Sequence, residues 1–88
     1  MDNNKYLNKV IGSLVRGTKI DYNKNSLHYP FSPSSFHFST FPSSPFNRFF
    51  SLLSTYCKNQ FGLTDYEIDY VWNEYREIIK DKISKREP

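Results

Sequence analysis

The chain has 88 residues, of which twelve are Lys or Arg and nine are Asp or Glu, so its formal net charge is +3. A chain of this length forms at most one domain and buries only about 60–65% of the surface that its unfolded state exposes. Its core must therefore be thin. Phe, Tyr and Trp make up 18% of the residues, and their large rings can replace several aliphatic side chains. We expect one small domain over residues 1–88.

Composition also excludes several classes of protein. The single cysteine, Cys57, rules out an intrachain disulfide framework. No run of about eighteen apolar residues is present, so no membrane span is expected. The first apolar segment, residues 10–15, is too short and too interrupted for a signal peptide. These features predict a soluble, cytoplasmic protein.

The first predicted element is a helix over residues 4–16. Apolar residues recur there at offsets of three and four from Tyr6 to Val15, which is the spacing of one helix face. Gly17 is expected to end this helix in the left-handed conformation. A face that packs on the core is favoured over a membrane-surface role.

The apolar period changes after Thr18. Ile20 and Tyr22 alternate with polar residues, as do Leu27 and Tyr29 beyond a polar turn. This alternation predicts a short β-hairpin over residues 19–29. Because an isolated hairpin is marginally stable in water, it must pack on a helix or on a partner.

A segment rich in Ser, Pro and Phe follows, and residues 30–46 carry no charge. Residues 30–44 are expected to be irregular, because proline interrupts both helices and strand ladders. Two ordered arrangements are open: a lid that lays its rings on the helices, or an extended arm that binds another protein chain. Disorder is the third alternative. The candidate interaction residues of the segment are Phe31, Phe36, Phe38 and Phe41.

Two further helices are predicted, over residues 45–60 and 65–83. Ser44 and Pro45 are typical of a helix start, and Gly62 of a helix end. Cys57 lies on the apolar face of the first of these helices, where it is interpreted as a small buried hydrophobe. Residues 84–88 form a short charged tail.

The start of the last helix is the clearest local signal in the chain. Thr64 and Glu67 have the spacing of a capping box, and Leu63 and Ile68 that of a hydrophobic staple. An apolar stripe continues along the helix through Ile68, Val71, Trp72, Tyr75, Ile78, Ile79 and Ile83. Tyr66 and Tyr70 fall beside this stripe, so they are either edges of the core or an exposed aromatic pair available to a partner.

The inventory of catalytic residues is small. His28 and His37 lie in or beside loops with no acid close in sequence, and a catalytic triad needs such an acid to orient the base. Two histidines and one cysteine fall short of the four ligands of a structural zinc site. The three glycines are too widely separated for a phosphate-binding loop. We therefore expect no enzyme, no cofactor and no metal, and assign no catalytic residue.

The two ends of the chain differ in net charge. Residues 1–60 hold seven bases and two acids, whereas residues 61–88 hold five bases and seven acids. The basic side chains near the beginning could bind nucleic acid: Lys5, Lys9, Arg16, Lys19 and Lys24. The last two helices have a helix-turn-helix arrangement, but early acids in the last one would face the phosphates. Nucleic-acid binding through the basic N-terminal helix is therefore the alternative function.

Four segments in order carry a resemblance: Thr-Lys-Ile-Asp-Tyr at 18–22, Tyr-Pro-Phe at 29–31, Tyr-Cys-Lys-Asn-Gln-Phe-Gly-Leu-Thr at 56–64, and Glu-Ile-Asp-Tyr-Val-Trp-Asn-Glu-Tyr at 67–75. With its bias towards Asn, Lys, Ile, Ser and Tyr, the chain resembles small uncharacterised proteins of large double-stranded DNA viruses of the mimivirus type. The resemblance implies a virion or accessory component made in the cytoplasm of the infected cell.

Together these features predict a mainly α fold: a small three-helix domain with a short β-hairpin and an irregular Ser/Pro/Phe-rich segment. The predicted function is a non-enzymatic structural or protein–protein interaction module. Its partner would be another protein chain, with self-association as one form of this, and nucleic acid is the less favoured partner.

Overall fold

The computed structural model describes residues 3–41 and 48–85. The elements in chain order are α1 (Asn3–Gly17), β1 (Lys19–Asp21), β2 (Ser26–His28), β3 (Ser35–His37), a 3-10 helix (Phe38–Thr40), α2 (Arg48–Phe61) and α3 (Asp65–Ser84). The domain is mainly α with one small antiparallel sheet, which confirms the predicted fold class.

The helix boundaries agree closely with the apolar spacing in the sequence. α1 and α3 begin and end within one residue of the predicted bounds. The described part of α2 begins at Arg48, so its expected start at Pro45 and its expected cap lie outside the described residues. Of the expected charged tail, residues 86–88 also lie outside them.

The start of α3 has the predicted capping geometry. The Thr64 hydroxyl accepts a hydrogen bond from the Glu67 amide at 3.2 Å, and the Glu67 carboxylate accepts one from the Thr64 amide at 2.9 Å. Leu63 and Ile68 on either side are both buried in the core. Gly62 directly follows the last residue of α2 and has φ +64°, a conformation that glycine adopts without steric cost. The turn between α2 and α3 is therefore set by local sequence.

Gly17 does not play its predicted role. It is the last residue of α1, and among the described glycines only Gly62 has a positive φ. A Cβ atom on Gly17 would lie 2.9 Å from the Cβ of Pro30, which is closer than two carbon atoms can pack. The prediction of a left-handed cap was wrong here, because the position needs a small residue for a close approach rather than a special φ.

The predicted hairpin is present, but it is part of a larger sheet. β1 pairs with β2 and β2 with β3, all antiparallel, so that Ile20, Leu27 and Phe36 lie side by side. The expectation of an irregular path was therefore wrong for residues 35–40, which form β3 and the 3-10 helix. No proline occurs between Pro33 and Pro42, so every backbone N–H in that interval can enter a ladder.

The core is built where α1, α2 and α3 meet under one face of the sheet. α3 supplies five buried side chains and the other elements complete the cluster: Leu7, Val10, Ile11, Leu14, Leu27, Tyr29, Phe31, Phe49, Leu53, Cys57, Leu63, Ile68, Val71, Trp72, Tyr75 and Ile79. Thr18, directly after the end of α1, is joined to Tyr75 of α3 by a buried hydrogen bond of 2.6 Å between their hydroxyls. Thr18 also donates to the carbonyl of Leu14, so this buried hydroxyl is fully used.

The phenylalanine-rich segment packs on this core around one ring. The Tyr29 ring lies 5.0 Å from Phe31 and 5.4 Å from both Phe36 and Phe49, measured between centroids, and Phe41 completes the cluster at 6.2 Å. Aromatic pairs at these separations add to the stability that burial of their area provides. In its described part the segment is therefore a cover on the domain's own core, the first of the arrangements open from the sequence.

Candidate protein-interaction groove

The six predicted interaction residues divide into two groups in the structure. Phe31 is buried, and Phe36, Phe38 and Phe41 are partly buried against the core. Tyr66 is 89% exposed and Tyr70 is 38% exposed. The two tyrosines thus form an exposed aromatic pair rather than edges of the core, and they are the members of the set with most free surface.

Tyr66 and Tyr70 lie on one wall of a groove between α1 and α3. They are one helical turn apart in the first part of α3, so their rings follow each other along the helix. The N-terminal part of α1 forms the opposite wall. The groove has a volume of about 420 Å³, and its lining residues are Asn4, Leu7, Tyr66, Glu67, Asp69, Tyr70 and Asn73. We call it the tyrosine groove.

The tyrosine groove combines an apolar base with polar walls. Leu7 belongs to the buried core and closes the base of the groove, and with Leu7 only 5% exposed the accessible apolar surface comes mainly from the two tyrosine rings. Asn4 and Asn73 bring side-chain amides, which both donate and accept hydrogen bonds. Apolar contact area with a few convergent polar groups is the usual composition of a binding site.

The charged groups of the tyrosine groove are both acidic. The Glu67 carboxylate is partly occupied, because one of its oxygens accepts the hydrogen bond that caps α3. Asp69 is exposed, and no Lys or Arg in residues 3–41 and 48–85 lies within ion-pair distance of it. The nearby Asp65 is paired with Lys58 at 2.8 Å. Asp69 is therefore the groove's most available negative charge.

The basic residues of the N-terminal third all lie on the surface. Lys5, Lys9 and Arg16 follow one side of α1, since offsets of four and eleven residues return to nearly the same direction on a helix. Lys19 and Lys24 lie on the sheet and in its first turn. All five side chains are exposed, and none of them lines the acidic tyrosine groove.

The remaining reactive side chains show no catalytic arrangement in the parts of the chain that the structure describes. Cys57 is buried as predicted, and burial raises the pKa of its thiol to about 11. Nδ1 of His37 accepts a hydrogen bond from the Ser39 amide at 3.1 Å, which caps the 3-10 helix. Over residues 3–41 and 48–85, no three His, Cys, Asp or Glu side chains are grouped so as to hold a metal. None of the helices over those residues is long and apolar enough to cross a bilayer.

Sequence reasoning identified one wall of the groove and missed the other. Tyr66 and Tyr70 were singled out because they leave the apolar stripe of α3. Asn4 and Leu7 were not, because the spacing within α1 does not reveal which helix lies beside its N-terminus. Asn73, three residues after Tyr70, could have been found from helical spacing alone.

Comparison with known proteins adds no relative. No family model matches the chain, and no curated protein or solved structure is significantly similar to it. The functional proposal therefore depends on the geometry and chemistry of the described residues.

Proposed function

We propose that the protein is a non-enzymatic interaction module that binds another protein chain in the tyrosine groove. The observation that carries the proposal is the exposure of Tyr66, 89% of whose surface is open to solvent in a domain where most aromatic rings pack on the core. Its neighbour Tyr70 is also exposed, and both line the same groove. A cluster of exposed rings bounded by polar groups is typical of a protein interaction site.

Tyrosine suits such a site energetically. It provides a large rigid contact area with few rotatable bonds, and it is enriched among the residues that dominate binding energy. Each ring can bury about 150–250 Å² of surface. Two rings and the base of the groove would form the centre of an interface, and the rest of a standard interface, about 800 Å² per partner, would come from the surrounding helix surfaces.

The chemistry of the tyrosine groove favours a partner segment that contains Lys or Arg. Asp69 offers a carboxylate without a cation in the described residues, and Glu67 adds a second negative charge. The faces of tyrosine rings attract cations, and Arg or Lys stacked on a ring gains about 0.5–1 kcal/mol at an exposed site. Asn4 can pair with the backbone of the same segment, and Asn73 can donate to it, while its Oδ1 accepts a hydrogen bond from Arg76 at 3.0 Å.

Peptide selection on the folded chain tests this function. Random twelve-residue peptides displayed on phage would be selected on the immobilised protein, and binding of the selected peptides would be measured by fluorescence anisotropy. We expect Lys or Arg beside apolar residues in the selected peptides. The double variant Tyr66→Ala with Tyr70→Ala should weaken binding by about tenfold or more, the size of a typical interface hot spot.

Charge is tested by a matched pair of variants on α3. Asp69→Asn removes a carboxylate from the groove, and Glu74→Gln removes an exposed carboxylate that does not line it. Asp69→Asn should weaken binding about fivefold and Glu74→Gln less than twofold. Equal effects of the two variants, or peptides without a basic bias, would contradict the proposed site.

A second copy of the chain is one source of a basic segment, because Lys5, Lys9 and Arg16 form an exposed row on α1. Size-exclusion chromatography with light scattering measures this directly. A dimer that dissociates on Asp69→Asn would identify the partner as another copy, and a monomer at all concentrations would leave a different protein as the partner.

Nucleic-acid binding through α1 is the second candidate function. It is supported by the five exposed Lys and Arg side chains of the N-terminal third. The acidic tyrosine groove beside the N-terminus of α1 weighs against it, since phosphates near that end would be repelled. This candidate predicts retention on a DNA duplex that weakens with salt and with Lys5→Glu and Lys9→Glu together. No mobility shift at low salt would remove it.

From the resemblance to small proteins of large DNA viruses we also propose where this interaction module acts. An interaction module of this kind would be a virion or accessory component, in the particle or in the host cytoplasm. Mass spectrometry of purified particles and of infected cells distinguishes the two locations.

A further inference from the structure

The outer face of the sheet carries a row of hydrogen-bond donors. Ile20, Leu27 and Phe36 face the core, so the residues before and after them on each strand face outward. The register pairs Lys19 with His28 and His28 with Ser35. Because neighbouring strands lie about 4.8 Å apart, the three positions that carry an ammonium, an imidazole and a hydroxyl lie side by side across about 10 Å.

A second groove lies along this row. Its volume is about 300 Å³, and its lining residues are Lys19, Ile20, Asp21, Lys24, Ser26, Leu27, His28 and Ser35. We call it the sheet groove. Lys24 reaches it from the turn between β1 and β2, and Ser26 adds a second hydroxyl. Two lysines therefore converge on a site that also contains a histidine and two hydroxyl groups.

The one acid in the sheet groove, Asp21, is engaged through one of its two carboxylate oxygens. The Asp21 carboxylate accepts hydrogen bonds from the amides of Asn23 at 3.0 Å and Lys24 at 3.1 Å. This Asx-type turn directs the carboxylate towards the backbone and orders the turn that carries Lys24. Asn25 completes the turn with φ 54°, in the left-handed region that asparagine tolerates. The turn places Lys24 on the groove that Lys19 also lines, and both amides bond to Oδ1 of Asp21, so that the turn leaves Oδ2 open.

We propose that the sheet groove binds a phosphate group, either as the free ion or as the phosphomonoester of a small molecule. Phosphate oxygens accept hydrogen bonds from ammonium, imidazole N–H and hydroxyl groups, which are the groups that converge here. Lys19 and Lys24 would bring two positive charges to the bound dianion against the one negative charge of Asp21. His28 and Ser35 would position the dianion. This site is separate from the tyrosine groove, which shares none of its lining residues.

The arrangement favours a compact phosphate over a nucleic-acid strand. A strand needs a track of cations that follows successive phosphates, usually with aromatic rings on which bases stack. Here both cations line a single groove, and no Phe, Tyr or Trp side chain lines it among the residues described. A single phosphate with a small organic group fits this volume and this polarity.

The test is a titration of the full chain that is monitored by two-dimensional ¹⁵N–¹H NMR. The probes are inorganic phosphate and glycerol 3-phosphate, each compared with sodium chloride at matched ionic strength. We expect saturable shifts confined to the amides of residues 19–28 and to those around Ser35. Tighter binding of glycerol 3-phosphate would identify a phosphomonoester as the ligand, and equal binding would identify the free ion.

Two double variants with equal loss of charge decide whether the site is specific. Lys19→Gln with Lys24→Gln should weaken phosphate binding about fivefold or more, whereas Lys5→Gln with Lys9→Gln should change it less than twofold. Spectral dispersion verifies that each variant is folded. Equal weakening by both variants, or shifts that do not saturate, would overturn the proposal. So would a ten-nucleotide DNA strand that binds more tightly than glycerol 3-phosphate and loses affinity equally in both variants.

Discussion

The two sides of α3 show how one helix serves two purposes. Ile68 is completely buried and Tyr66, two residues before it, is 89% exposed. Both are large residues on the same capped turn, and helical spacing puts Ile68 on the apolar stripe and Tyr66 beside it without fixing how far Tyr66 is exposed. What separates them is the element that lies opposite: the core cluster covers Ile68, whereas no described element covers the Tyr66 ring.

Tyr75 and Tyr66, two tyrosines of the same helix, also differ in burial. Tyr75 is fully buried, and its hydroxyl shares a 2.6 Å hydrogen bond with Thr18. Burial raises the pKa of Tyr75 well above its ordinary value, although the bond with Thr18 opposes part of that rise. Tyr66 has water around its hydroxyl and its ring. The same residue type is therefore a fully buried core member at position 75 of α3 and a largely exposed side chain at position 66.

The largest expected effect on the free energy of unfolding comes from truncating a buried side chain of α3. Ile68→Ala should lower the free energy of unfolding by about 2–5 kcal/mol, because it removes buried methyl groups and leaves a cavity in a thin core. Urea denaturation followed by circular dichroism measures the loss. If this variant is too unstable to fold, Ile68→Val should still cost about 0.5–1.5 kcal/mol. A loss below about 0.5 kcal/mol for Ile68→Ala would show that this side is not the core.

The next effect concerns Cys57 in the same core. Its pKa is raised by burial from 9.0 to about 11, so the folded state keeps its proton where the unfolded state loses it. Its contribution to stability is complete below about pH 9 and is lost as the pH rises through 11. By pH 10 the loss should be on the order of 1 kcal/mol, and well above pH 11 roughly twice that.

Cys57→Ala provides the control for this alkaline effect. Buried tyrosines also destabilise the fold at high pH, but they do so in both proteins, so the difference in slope between pH 7 and 10 isolates the thiol. The measurement is urea unfolding at pH 7, 9 and 10. Parallel slopes for the two proteins would contradict a buried, protonated thiol.

The smallest expected effect comes from the exposed side. Tyr66→Ala should change the free energy of unfolding by no more than about 0.5 kcal/mol, since an exposed side chain away from packing contacts contributes little to stability. Measured in the same urea series as Ile68→Ala, it provides the contrast between the two sides of α3. A loss of 2 kcal/mol or more would mean that Tyr66 supports the fold and would remove the structural basis for a free docking surface.

Local patterns predicted some parts of the fold well for identifiable reasons. The capping box of Thr64 and Glu67 is formed by atoms three residues apart, so sequence spacing already specifies its geometry. The apolar stripes of α1 and α3 were also found, because helical periodicity is regular over several turns. β3 was not predicted, because the flanking prolines, Pro33 and Pro42, indicate an irregular segment although the interval between them contains no proline.

The candidate site was predicted only in part. The sequence marked Tyr66 and Tyr70 as residues outside the apolar stripe, with equal weight for core edge and exposed pair. It also grouped them with Phe36 and Phe41, which the structure instead packs around Tyr29. Whether a ring is exposed depends on contacts between residues far apart in the chain, and spacing within one helix carries no information about them.

By itself the sequence determined the three helices, the start of α3, the hairpin and the separation of basic from acidic residues, because these follow from backbone preference, periodicity and composition. The tertiary structure alone decided that α1 lies beside α3, that the phenylalanines cover the core, and that two tyrosines remain exposed beside an unpaired Asp69 in the described domain. The physical reason is that burial is a property of pairs of surfaces. A residue's neighbours across the core, rather than its neighbours along the chain, determine whether it stabilises the fold or stays available for binding.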